Sequence, residues 1–70
     1  MRLTEEDVER IHKLEQYLRT GARSVGEMAS YLGVTKLTVM NYMDVFLCNP
    51  KKYRIYCADL TGPEKRWTIE

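Results

Sequence analysis

Between Ser24 and Thr35 the chain has room for a helix of only two turns, and both of its ends are marked. Ser24 and Glu27 spell a capping box, in which the hydroxyl accepts from the N–H three residues on and the glutamate reaches back to the serine N–H. Val25, Met28, Ala29 and Leu32 fall on one side of that helix, and Gly33 supplies the left-handed residue that ends it. Thr35 then caps the next helix. Two helices joined by so short a turn must cross nearly in contact. Ala29 is small enough for that crossing, and Leu32, Val34 and Val39 fill it from three sides.

The flanking segments build outward from this pair. Thr4 caps a first helix with Asp7 three residues on, and Leu3 and Val8 occupy hydrophobic-staple positions. Val8, Ile11, Leu14 and Leu18 recur at helical spacing as one apolar stripe, and Gly21 marks the stop. Ala22–Arg23 is a short extended piece before the second helix, which allows a third strand there. In the third helix, residues 35 to 47, Val39, Tyr42, Met43 and Phe46 make the inward face until Asn49-Pro50 closes it, a length of about 18 Å. The period then changes to two: Tyr53, Ile55 and Cys57 alternate with Arg54, Tyr56 and Ala58, and Trp67 and Ile69 repeat the pattern. Two strands follow from that alternation. The turn-forming residues between them are too many for a tight hairpin, so a loop at 59 to 65 projects.

Seventy residues make one domain, residues 1–70, and a chain of that length buries only about 60% of its unfolded surface. Little is left for an enzyme's pocket. No Gly-rich phosphate loop, paired-carboxylate site or nucleophile with a base is present, and His12, the sole histidine, has no partner at a telling spacing. Cys48 and Cys57 with one histidine do not supply a zinc set, and buried, reduced thiols are the plainer reading. The chain reads as a non-enzyme without cofactor or small-molecule ligand. No run reaches the roughly 20 apolar residues of a membrane span, and the charged first ten residues lack a secretory pattern, which favours a soluble, cytoplasmic protein.

The order helix, short strand, helix, tight turn, helix, strand, loop, strand is an α+β pattern, three helices followed by a two-stranded β-hairpin. Carried by Glu27-Met28-Ala29-Ser30-Tyr31-Leu32-Gly33-Val34-Thr35 and then Val39 and Tyr42, the chain resembles small winged helix-turn-helix DNA-binding proteins. In plan it is similar to the small fimbrial-operon regulators. The resemblance implies a prokaryotic or viral transcription regulator that binds double-stranded DNA, with helix 35–47 in the major groove and the 59–65 wing on the flanking backbone. Thr35, Lys36, Leu37, Thr38, Met40 and Asn41 would then face the duplex, beside Asp44. Asn41 suits adenine, Lys36 guanine or phosphate, Thr38 a base edge or phosphate, and Leu37 and Met40 thymine methyl groups.

Charge is distributed unevenly. Residues 1–24 carry five basic and five acidic side chains, whereas residues 50–70 carry five basic against three acidic. Lys51, Lys52, Arg54, Lys65 and Arg66 of that last third suit flanking phosphates, or serve only to solubilise the hairpin and guard its edge. Arg23 and Ser24 stand where free N–H groups hold a phosphate, or where a cap is all that is needed. Leu37 and Met40 serve equally as a protein contact, which makes a winged-helix interaction module the alternative function. Most of the tyrosines and Trp67 read as core, with Tyr56 the exception. A homodimer or a partner regulator remains open, with the contact made through Leu14 and Tyr17 of the first helix or through the free hairpin edge.

Overall fold

The computed structural model describes residues 3–59 and 65–70, so the middle of the expected 59–65 wing lies outside the described residues. The elements are α1 (Glu5–Arg19), β1 (Arg23–Ser24), α2 (Val25–Leu32), α3 (Lys36–Leu47), β2 (Ile55–Asp59) and β3 (Arg66–Ile69). The result is a small α+β domain of three helices and a three-stranded antiparallel sheet in the order β1-β3-β2.

Local capping sets each helix start. Thr4 and Asp7 close the box on α1: Asp7 N–H donates to Thr4 Oγ1 at 3.2 Å and Thr4 N–H donates to Asp7 Oδ2 at 3.0 Å. Ser24 and Glu27 do the same for α2, both bonds at 3.2 Å. Thr35 Oγ1 accepts from Thr38 N–H at 3.3 Å to open α3. Between α2 and α3, Gly33 sits at φ 68°, ψ 35°, and its N–H and that of Val34 both reach back to the Ala29 carbonyl. The left-handed turn satisfies the helix end and throws α3 across α2.

The core forms where the three helices meet β3. Ile11, Leu14 and Leu18 of α1, Met28 and Ala29 of α2, and Val39, Tyr42, Met43 and Phe46 of α3 are buried together with Tyr53 and Ile69. Each fully buried Leu, Val or Phe is worth roughly 1.5–3 kcal/mol of transfer free energy, so this cluster dominates the stability. Phe46 meets Tyr53 edge to face at 4.8 Å between ring centres, which fastens the segment after α3 to the helix. Thr68 Oγ1 donates to the Leu18 carbonyl at 2.8 Å and Arg19 Nη1 donates to the Glu70 carbonyl at 2.8 Å. These two bonds tie β3 to the end of α1.

A second tie joins α1 to α3. Tyr42, otherwise buried, donates its hydroxyl to Asp7 Oδ1 at 2.6 Å, so the same carboxylate caps α1 and anchors α3. That hydrogen bond, with those from Thr4 and the charge of Arg10, holds the Asp7 carboxyl below its ordinary value. Burial in turn pushes the Tyr42 hydroxyl up, and the Asp7 carboxylate adds to the shift.

Several expectations are corrected. Val8 is exposed: at about 100° per residue it lies roughly a quarter-turn from the centre of the stripe made by Ile11, Leu14 and Leu18. Gly21 is not left-handed, because α1 ends at Thr20, whose hydroxyl donates to the Tyr17 carbonyl at 2.7 Å. Strand β1 is Arg23–Ser24, one residue later than expected, and pairs with Trp67 and Arg66. Cys48 is exposed, since it follows the last inward residue of α3, and Cys57 is half-buried; no disulfide joins them. Tyr31 is exposed and lies flat on half-buried Tyr17, with ring centres 4.0 Å apart. Leu14 is fully buried, which removes it as a contact for a second copy.

Two outcomes are expected from this architecture. A Cβ at Gly33 would meet nothing within 4 Å, so Gly33→Ala suffers backbone strain alone, about 1–2 kcal/mol by urea denaturation, and Gly33→Asn suffers less. Tyr42→Phe is expected to lose about 1 kcal/mol near neutral pH. Because Asp7 is lowered in the folded chain, its contribution is present above the ordinary carboxylate pKa and lost as pH falls through the folded value. The acid-side fall in stability, followed by circular dichroism, is therefore shallower in Tyr42→Phe than in the parent chain.

Candidate nucleic-acid interface

Burial of Val39, Tyr42, Met43 and Phe46 fixes the rotation of α3, and with it the face turned to solvent. On that face Leu37 is 69% exposed, Met40 56% and Leu47 49%. Lys36, Asn41 and Asp44 are exposed beside them. The apolar members and Asp44 recur at 37, 40, 44 and 47, the helical spacing that makes a continuous strip.

This strip borders a groove of about 540 Å³ closed on its other side by the start of α2 (Ser24, Val25, Gly26) and by Lys65 and Trp67 of the β3 segment. Buried Met43 contributes to its lining. The Lys36 stem runs alongside Gly26, with Cε 3.7 Å from where a Cβ would stand there. Lys36 and Lys65 thus bring two cations to one groove from two distant parts of the chain, against Asp44, the one anion among its described lining residues.

The remaining expected site residues divide into those engaged elsewhere and those placed elsewhere. Thr35 and Thr38 share a hydroxyl–hydroxyl hydrogen bond of 3.0 Å, and Thr38 is half-buried, so its hydroxyl is drawn toward the cap. Ser24 is buried with its hydroxyl committed to Glu27 N–H, which is the capping role and not an anion cradle. Arg23 lies over the Tyr17 ring at 4.5 Å and faces Glu27 Oε2 at 3.9 Å. Tyr31 already covers one face of Tyr17, so the guanidinium takes the other. Arg66 faces Glu27 Oε1 at 3.5 Å.

Glu27 is therefore a shared counter-ion for two of the expected phosphate contacts. Its carboxyl is held below the ordinary value by the Ser24 N–H, with Arg66 and Arg23 adding to the effect.

Lys52 and Arg54 sit at the far end of the hairpin. The Arg54 carbonyl accepts from Glu70 N–H, whereas Arg66 pairs with Asp59 at the other end of β2, roughly 16 Å away along a strand of five residues. The basic residues of the last third thus form two groups, and only Lys65 joins the α3 groove. Between Cys57 and Asp59 the ladder with β3 shifts register by one residue, a bulge that adds twist to the hairpin near Arg66.

Sequence reading missed Leu47, Met43 and Trp67 as parts of this groove. The spacing from Leu37 and Met40 was a usable signal for Leu47; nothing local announced that Trp67 or Lys65 would face α3. Among the described residues no group of three or more His, Cys, Asp or Glu side chains is placed to hold a metal ion, and no helix is long and apolar enough to cross a membrane. No family model matches the chain, and neither the curated proteins nor the solved structures yield a match.

Replacing Glu27 by Gln keeps an acceptor for the Ser24 N–H but removes the charge shared by Arg23 and Arg66. The Glu27→Gln chain is expected to remain folded and to elute from immobilised heparin at higher salt than the parent. An unchanged elution point would mean that the two guanidiniums already act at full strength.

Proposed function

We propose that this chain is a winged-helix domain that binds double-stranded DNA sequence-specifically, as a small transcriptional regulator with α3 in the major groove. The observation that carries this reading is the groove itself. A solvent-facing helix side bearing Lys36 and Asn41 is bordered by Lys65, the last residue of the expected 59–65 wing, so base-reading and phosphate-binding groups open onto one surface. The element order and the β1-β3-β2 sheet agree with the winged-helix resemblance, in which the hairpin stands beside the reading helix.

In this reading Asn41 faces base edges and Lys36 a guanine edge or a phosphate. Lys65 lies along the neighbouring backbone, and Arg66 and Arg23 join when a phosphate competes with Glu27. Lys52 and Arg54 reach DNA only if the duplex follows the hairpin to its base. One such domain covers few base pairs, so specific occupancy calls for a second copy or a partner regulator, with half-sites about 34 Å apart on one face of the duplex. A cytoplasmic location follows from the same reading.

A second reading is favoured by one observation: Leu37, Met40 and Leu47 together expose more apolar surface than a phosphate-facing helix requires. In that case the groove receives a protein, and the three apolar residues dominate the affinity.

A salt series of binding to random duplex DNA separates the two. For a duplex binder the logarithm of affinity falls linearly with the logarithm of salt, and Lys36→Ala combined with Asn41→Ala lowers affinity and reduces the slope by about one phosphate's share. A flat series with an unaffected double variant selects the protein-interaction reading.

A further inference from the structure

The apolar strip on α3 needs its own explanation, because cations and an amide alone would suffice to hold a duplex. We propose that Leu37 and Met40 read thymine methyl groups, so that the domain selects A·T-rich major groove; this inference rests on the reading of α3 as the major-groove helix.

Leu37 and Met40 are the most exposed large apolar side chains of α3, and they stand three residues apart, with about 5–6 Å between their Cβ atoms. Successive bases along a strand rise by about 3.4 Å, so two side chains at that separation reach neighbouring base pairs. Asn41, next to Met40 and one turn on from Leu37, presents the amide that pairs bidentately with adenine. The methyl-seeking and the adenine-seeking groups thus share one patch of helix.

Charge complementarity decides the occupant. Leu37, Met40 and Leu47 line one groove with Lys36 and Lys65, and a duplex offers a complementary surface, base edges flanked by anionic phosphates. Only thymine puts an apolar group among those edges. Against G·C pairs, Leu37 and Met40 would cover amino and carbonyl edges without replacing their hydrogen bonds to water, which is unfavourable.

The test compares an alternating A·T duplex with the same duplex made with deoxyuridine in place of thymidine. Uracil keeps every hydrogen-bonding atom and lacks only the methyl. Binding of the full chain is followed by fluorescence anisotropy of labelled DNA at low and moderate salt, beside a Leu37→Ala, Met40→Ala double variant. Both positions are exposed, so that variant keeps the parent's helical signal.

Burying a methyl-sized group is worth about 0.8 kcal/mol, or about 4-fold in affinity, so the parent chain is expected to weaken about 4-fold for each methyl it meets. The double variant is expected to bind both duplexes alike, which separates methyl contact from any change in duplex shape. Equal, salt-dependent binding of the two duplexes by the parent chain overturns the methyl inference and leaves duplex binding standing. An equal loss in parent and variant overturns it too, by assigning the effect to shape. Binding to neither duplex at low salt overturns duplex binding itself, and the inference with it.

Discussion

The left-handed turn at Gly33 is the constraint on which the rest depends. It ends α2 after two turns, returns two N–H groups to the Ala29 carbonyl, and starts α3 from Thr35 two residues later. With so little chain between the helices, α3 has no freedom to lie elsewhere than against α2. The inward positions of α3 then share one core with Leu14, Leu18 and Met28, Val45 packs at its edge, and the helical period turns Leu37, Met40, Asn41, Asp44 and Leu47 outward. Solvent exposure of Leu37, Met40 and Asn41 is thus a consequence of burying Val39, Tyr42 and Phe46.

Carboxylates in this domain hold the structure together and at the same time limit its positive surface. Asp7 caps α1 and accepts the Tyr42 hydroxyl, joining the first and third helices through one side chain. Glu27 caps α2 and faces Arg23 and Arg66, joining the second helix to β1 and to the strand after the loop. The guanidiniums of Arg23 and Arg66 accordingly have a resident partner. Lys36 and Lys65 are left as the cations of the groove, which makes the apolar strip a larger share of its chemistry.

Helix starts, the tight turn and the inward face of α3 were legible in the sequence because each depends on residues within four positions of one another. Thr4 with Asp7, Ser24 with Glu27, and Gly33 act through bonds to their own neighbours, and the structure has them as expected. Where the reading failed, the deciding contact was distant or the margin small. Val8 differs from Ile11 by a modest rotation on the helix, and α1 had no need of Gly21 once Thr20 bonded to the Tyr17 carbonyl. Tyr31 looked like a core residue by type, but its place is on the outer side of Tyr17.

The same division applies to the candidate site. By itself the sequence determined that α3 would show Lys36, Leu37, Met40 and Asn41 to solvent, because a helix with one apolar face must expose the other. Only the tertiary structure decided that Lys65 and Trp67 would border that face, that Arg23 and Arg66 would share Glu27, and that Lys52 and Arg54 would stand at the opposite end of the hairpin. Capping and periodicity act over one or two turns of chain. The meeting of residues 30 positions apart is set by how the sheet packs on the helices, and no local pattern records it.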